Sequence, residues 1–129
     1  MNMKLAIATL AISTVMLVSC KSEEEKVADI AQDYLEAVTN YHVSEAKEYA
    51  SEEFMPILET MTYFMSVTPK EQLDATLPNE ITINKTLLKA DTAIVYFHSK
   101  NPSTECDAQL KMIKTNGEWL VYDQGETVK

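Results

Sequence analysis

Apolar residues between positions 24 and 39 recur with a helical period. Val27, Ile30, Ala31, Tyr34, Leu35 and Val38 follow i, i+3, i+4, i+7 spacing, which predicts an amphipathic helix from Glu24 to about Thr39. Ser22 is placed to cap it, and Glu23, Glu24 and Glu25 suit the positive end of its dipole. Asn40-Tyr41-His42 breaks the pattern. Ser44 is expected to cap a short second helix through Ala50. Ser51-Glu52-Glu53 opens a third, with Phe54, Ile57, Leu58, Met61, Phe64 and Met65 on its apolar face. Pro56 sits deep enough in it to predict a kink or a late start. Thr68-Pro69-Lys70-Glu71 has the form of a capping box with proline at the first helical position, so one more helical turn is expected before Pro78.

After Pro78 the period falls to two. Strands are predicted at Glu80–Leu88, Thr92–Ser99, about Glu105–Thr115 and Glu118–Gln124, with turns at Ala90-Asp91 and Lys100-Asn101-Pro102-Ser103. Asn116-Gly117 is a strong two-residue hairpin signal, because both residues tolerate the positive φ of a type I′ turn. That turn sets the register: Lys114 opposite Trp119, Met112 opposite Val121, Leu110 opposite Asp123. These residues, with Ala108 and Cys106, form the expected core face, joined by Ala93, Val95 and Phe97. Ile113, Leu120, Lys111 and Tyr122, with Ile94, Tyr96 and His98, fall on the other side. Helices first and an antiparallel meander second make an α+β fold: N-terminal helices on a curved four-stranded sheet. A sheet apolar on both faces suggests that a second molecule covers one of them, and a homodimer through the sheet face is expected.

The chain opens differently. Lys4 precedes an apolar run from Leu5 to Val18, too short for a spanning helix and laid out as a secretory signal. Leu17-Val18-Ser19-Cys20, which closes the run, resembles a bacterial lipobox. The resemblance implies cleavage before Cys20, a diacylglyceryl thioether on its sulfur and an acyl chain on its new amine. Two or more acyl chains anchor a protein stably to a membrane. The expected organisation is a signal peptide at 1–19, a lipidated tether at 20–25 and one domain at 26–129. An ordinary signal peptide with an incidental cysteine is the alternative. Lys21, where the familiar inner-membrane retention signal has Asp, favours the outer membrane. Lys21-Ser22-Glu23-Glu24-Glu25 also resembles the short acidic cluster that directs some lipoproteins to the cell surface.

Charge narrows the partners. The sequence has eleven lysines, no arginine and twenty acidic residues. Such a surface does not suit phosphate, so nucleic acid is not expected as a partner. Anionic headgroups would repel the domain too, leaving the lipid on Cys20 to hold it at the membrane. With Cys20 acylated, no intramolecular disulfide is expected, and the alternating context of Cys106 reads as a small buried apolar position.

The order of elements, the short helix within Ser44-Glu45-Ala46-Lys47-Glu48-Tyr49-Ala50 and the closing Lys114-Thr115-Asn116-Gly117-Glu118-Trp119-Leu120-Val121 hairpin resemble the nuclear transport factor 2-like, cystatin-like cone superfamily. The resemblance spans residues 24 to 124 and implies the cone fold more than any activity. Enzymes of that superfamily use an Asp or His deep in the cone, helped by Tyr hydroxyls. The candidates are His98, Tyr96, Asp123, Tyr34 and Tyr63, each of which also reads as core or interface packing. None matches a superfamily catalytic set residue by residue, so no catalytic residue is carried over. There is no HExxH, CxxC or Gly-rich phosphate loop. His42 and His98 lack a third partner for zinc, so no metal or cofactor is expected. The expected function is a non-catalytic envelope lipoprotein binding a small apolar ligand or a protein. A hydratase or isomerase with an acid or base in the cone, and a structural or inhibitory envelope protein, are the alternatives.

Overall fold

The computed structural model describes residues 21–126. Cys20 and the apolar run before it lie outside the described residues. The chain runs through helix α1 (Glu23–Thr39), a short α2 (Val43–Ala46) continued by a 3₁₀ turn (Lys47–Tyr49), α3 (Met55–Val67) and α4 (Lys70–Asp74). Strands β1 (Glu80–Lys89), β2 (Thr92–Lys100), β3 (Glu105–Thr115) and β4 (Glu118–Glu126) follow, paired antiparallel in the order 1-2-3-4. Among the described residues no helix is long and apolar enough to cross a membrane.

Ser22 caps α1, its Oγ accepting the Glu25 N–H at 3.1 Å. Glu23, Glu24 and Glu25 form the first helical turn, as the dipole reading expects, so the helix takes in part of the tether drawn at 20–25. Val27, Ala31, Tyr34, Leu35 and Val38 of α1 are buried against the inner sheet face, where Ala93, Val95, Phe97, Ala108, Leu110, Met112, Trp119 and Val121 meet them. Burying about 25 cal/mol per Å² of apolar surface makes this layer the main stabilising term.

The caps beyond α1 differ from expectation. The N-cap of α2 is His42 without a side-chain bond, so Ser44 lies inside the helix and caps nothing. Ser51 Oγ instead accepts the Phe54 N–H at 3.3 Å, while its N–H donates to Val121 O at 2.8 Å. This turn delays α3 to Met55, which places Pro56 in the first turn, where it costs no helical hydrogen bond. The expected capping box does not form: Thr68 Oγ1 donates back to Phe64 O at 2.5 Å, and Pro69 is the cap of α4.

Two bulges curve the sheet, one between Ile83 and Lys85 and one between Lys111 and Met112. The Asn116-Gly117 turn has φ of 52° and 82°, and the pairs Lys114–Trp119 and Met112–Val121 stand as expected. Beyond them the second bulge adds Tyr122 to β4. Leu110 then faces Gln124 rather than Asp123, and Asp123 moves to the outer face opposite Lys111. The expected pairing of Leu110 with Asp123 is corrected accordingly.

Candidate functional site

The helices cover the sheet unevenly. Near the C-terminal end of α1, a groove of about 350 Å³ opens between Thr39, the start of α3 and the inner face of β2–β4. Phe54, Ile57, Met61, Phe97 and Ala108 give it apolar walls, and Ser99, Cys106, Gln124 and Gly125 complete it. Its floor is fixed from below. Tyr34, fully buried, donates its hydroxyl to Gln124 Oε1 at 2.8 Å and packs edge-on against Phe54 with ring centres 6.5 Å apart. Burial pushes the Tyr34 phenol above its usual value, so it remains a neutral donor.

The rim is held by Asn79, which no sequence signal singled out. Its backbone N–H donates to Asn40 Oδ1 at 2.9 Å, and its Nδ2 donates to Thr39 O at 2.6 Å and Thr76 O at 3.1 Å. Its Oδ1 accepts from Asn101 Nδ2 at 3.0 Å and Ser99 Oγ at 3.3 Å. One amide thus joins the end of α1, the segment leading into β1 and the end of β2.

Alongside the groove α3 presents apolar residues to solvent: Ile57 is 54% exposed, Tyr63 63%, Phe64 59% and Val67 59%. The helical stripe read from the sequence had placed Ile57 and Phe64 inside. Only Phe54, just before the helix, and Leu58 are buried, while Met61 and Met65 are half-buried against the core.

A helix-lined cone over a bulged four-stranded meander is a shape shared with solved structures. No protein-family model matches the sequence, and no curated protein matches it significantly. The chain does superpose on the crystal structure of an NTF2-like protein of unknown function from Shewanella baltica with a TM-score of 0.57, covering 81% of this chain and 94% of that one at 8% identity. The chain has the nuclear transport factor 2-like fold. A putative NTF2-like transpeptidase from Campylobacter jejuni is also similar, with a TM-score of 0.45 at 18% identity, covering 78% and 97% of the two chains.

Within this NTF2-like cone the sequence candidates do not converge. His98 and Asp123 lie on the outer face of the sheet, away from the groove, and so does half-buried Tyr96. Tyr63 is on the exposed side of α3. Tyr34 alone reaches the groove's floor. His98 is bracketed by carboxylates, with Nδ1 2.8 Å from Asp107 Oδ1 and Nε2 2.8 Å from Glu105 Oε2. The hydrogen bonds to Asp107 and then Glu105 raise its pKa above the usual 6.5. Asp123 Oδ2 lies 3.8 Å from Lys111 Nζ. Cys106, expected to be buried, is exposed on β3, where the groove leaves the inner face open. Among the described residues no three His, Cys, Asp or Glu side chains are grouped to hold a metal.

The outer face expected to pair with a second copy carries half-buried Ile94, Tyr96, Ile113 and Leu120, with Tyr122 at its border. Lys85, Lys111, Asp107 and Asp123 interrupt it. The more exposed apolar surface is that of α3.

Proposed function

We propose that the protein is a non-catalytic, acyl-anchored envelope lipoprotein whose cone takes a small apolar ligand or an apolar stretch of a partner protein. One observation carries the binding reading: the groove is walled by Phe54, Ile57, Met61, Phe97 and Ala108, with no carboxylate or imidazole among its lining residues. Apolar walls with a few fixed polar groups are the usual make-up of a ligand pocket. A hydratase or isomerase would need an acid or base aimed into that space, and His98 and Asp123 lie across the sheet from it. Exposed Ile57 and Phe64 extend the apolar surface outward, enough for a chain segment as well as a small molecule.

The anchor rests on the Leu17-Val18-Ser19-Cys20 lipobox, with the outer membrane as the favoured site. Mass spectrometry of the N-terminal peptide is expected to show acylated Cys20, and an unmodified cysteine would refute the anchor. For the groove, the uncharged probe N-phenyl-1-naphthylamine is expected to bind residues 20–129 saturably with enhanced emission. Ile57→Lys and Met61→Lys should abolish that enhancement, since both change accessible lining positions. Enhancement unchanged by both variants would move the site elsewhere.

A further inference from the structure

The described residues begin next to Cys20, the proposed anchor. Lys21 is in place, its ammonium paired with Asp29, and Ser22 already caps α1. Only Lys21 and Ser22 separate Cys20 from the first helical residue, Glu23, a span of at most about 11 Å even when fully extended. The neighbour of that first turn is the β3–β4 hairpin: Trp119 Nε1 donates to Glu23 Oε2 at 2.9 Å, and Lys114 Nζ reaches the same oxygen at 3.2 Å. The start of α1 and the hairpin are thus one rigid end of the domain.

The groove lies at the other end. Thr39, which borders it, is a helix length from Glu23, about 25 Å at 1.5 Å per residue. Cys106, also in its lining, lies eight β3 residues from Lys114, the partner of Trp119, or roughly 27 Å of strand.

From these positions we infer that the domain stands on the bilayer with the α1 start and the Asn116-Gly117 hairpin against the lipid headgroups, and with the groove and the exposed side of α3 turned to the aqueous phase. This rests on acylation of Cys20 as proposed above. The contact needs no electrostatic attraction, because the two-residue connection alone holds this end at the surface. The acidic groups there, Glu24, Glu25 and Glu118, keep it from sinking deeper. An occupant of the groove would then arrive from the water side, not from the anchoring membrane.

Two reporters sit at the two ends. Trp119 is the only tryptophan in the sequence, and Cys106 is the only thiol left once Cys20 is acylated. The full chain, processed in a bacterial host, is placed in phosphatidylethanolamine/phosphatidylglycerol vesicles containing lipid with a nitroxide on its headgroup. Trp119 emission is expected to be mostly lost, while bimane attached to Cys106 keeps most of its own. Equal quenching at both positions, or stronger quenching at Cys106, overturns the orientation, as does an unquenched Trp119. The mass of the same preparation separates the two claims. An acylated chain without preferential quenching at Trp119 refutes the orientation alone, whereas an unacylated chain refutes the anchor and the orientation with it.

Discussion

Trp119 and Glu23 are 96 residues apart in sequence, yet the indole Nε1 donates to the Glu23 carboxylate at 2.9 Å. The bond joins the last hairpin to the first helical turn and closes the cone at that end. Trp119 is 6% exposed within the core cluster, and Lys114 lies over its ring, 5.9 Å from the centroid. Its ring thus packs as core while its one polar atom is satisfied.

Trp119→Ala is expected to destabilise the domain by about 3–5 kcal/mol, the usual cost of emptying a large aromatic site. Denaturant unfolding of residues 20–129 measures it. A loss below ~1 kcal/mol would contradict the burial of the ring against α1.

Glu23 makes part of that closure dependent on pH. Hydrogen bonds from Trp119, then Lys114, then Lys26 lower its pKa from 4.5 to about 2. A carboxylate with a depressed folded pKa stabilises fully above its unfolded value, and that contribution is lost as pH falls through the folded one. Glu23→Gln should therefore lower the denaturant midpoint at neutral pH, with the gap from wild type closing between pH 4.5 and about 2. A gap independent of pH would contradict the assignment. The same contacts bear on surface export: replacing all three acids would mix damage to the fold with any loss of display. Glu24→Ala with Glu25→Ala is the cleaner variant. Lower protease accessibility on intact cells is the result expected if the cluster is an export signal.

His98 moves the opposite way. Its raised pKa stabilises the fold fully below 6.5, and that contribution fades as pH rises through the raised folded value. Ring-carbon chemical shifts followed against pH should show His98 titrating above the ordinary value. Asp107→Asn should bring it back down, and an unchanged titration would mean that the Asp107 bond is not maintained in solution.

The pattern of the chain revealed much of this fold and little of its site. Val27 through Val38 announced α1, and Asn116-Gly117 set the last hairpin, because periodicity and turn chemistry are local. Three features depended on distant parts of the chain. The extra residue at Tyr122 turned Asp123 outward, and no residue type marks such a bulge. The side of α3 that meets the core, Leu58, Met61 and Met65, left Ile57 and Phe64 exposed, although their spacing is that of a buried stripe. Asn79 became the rim's hub only because the end of α1 and the end of β2 meet there. Its place directly after Pro78, at the switch from helical to strand period, was the one signal that could have pointed to it.

The apolar groove as a binding site is tested most directly by following backbone amide signals of residues 20–129 during titration with N-phenyl-1-naphthylamine. The expected result is a saturable set of shifts confined to Phe54–Met61, Phe97–Ser99, Cys106–Ala108 and Gln124–Gly125. Shifts centred on the outer-face residues Ile94, Lys111 and Leu120, or no saturable shifts at all, would contradict it.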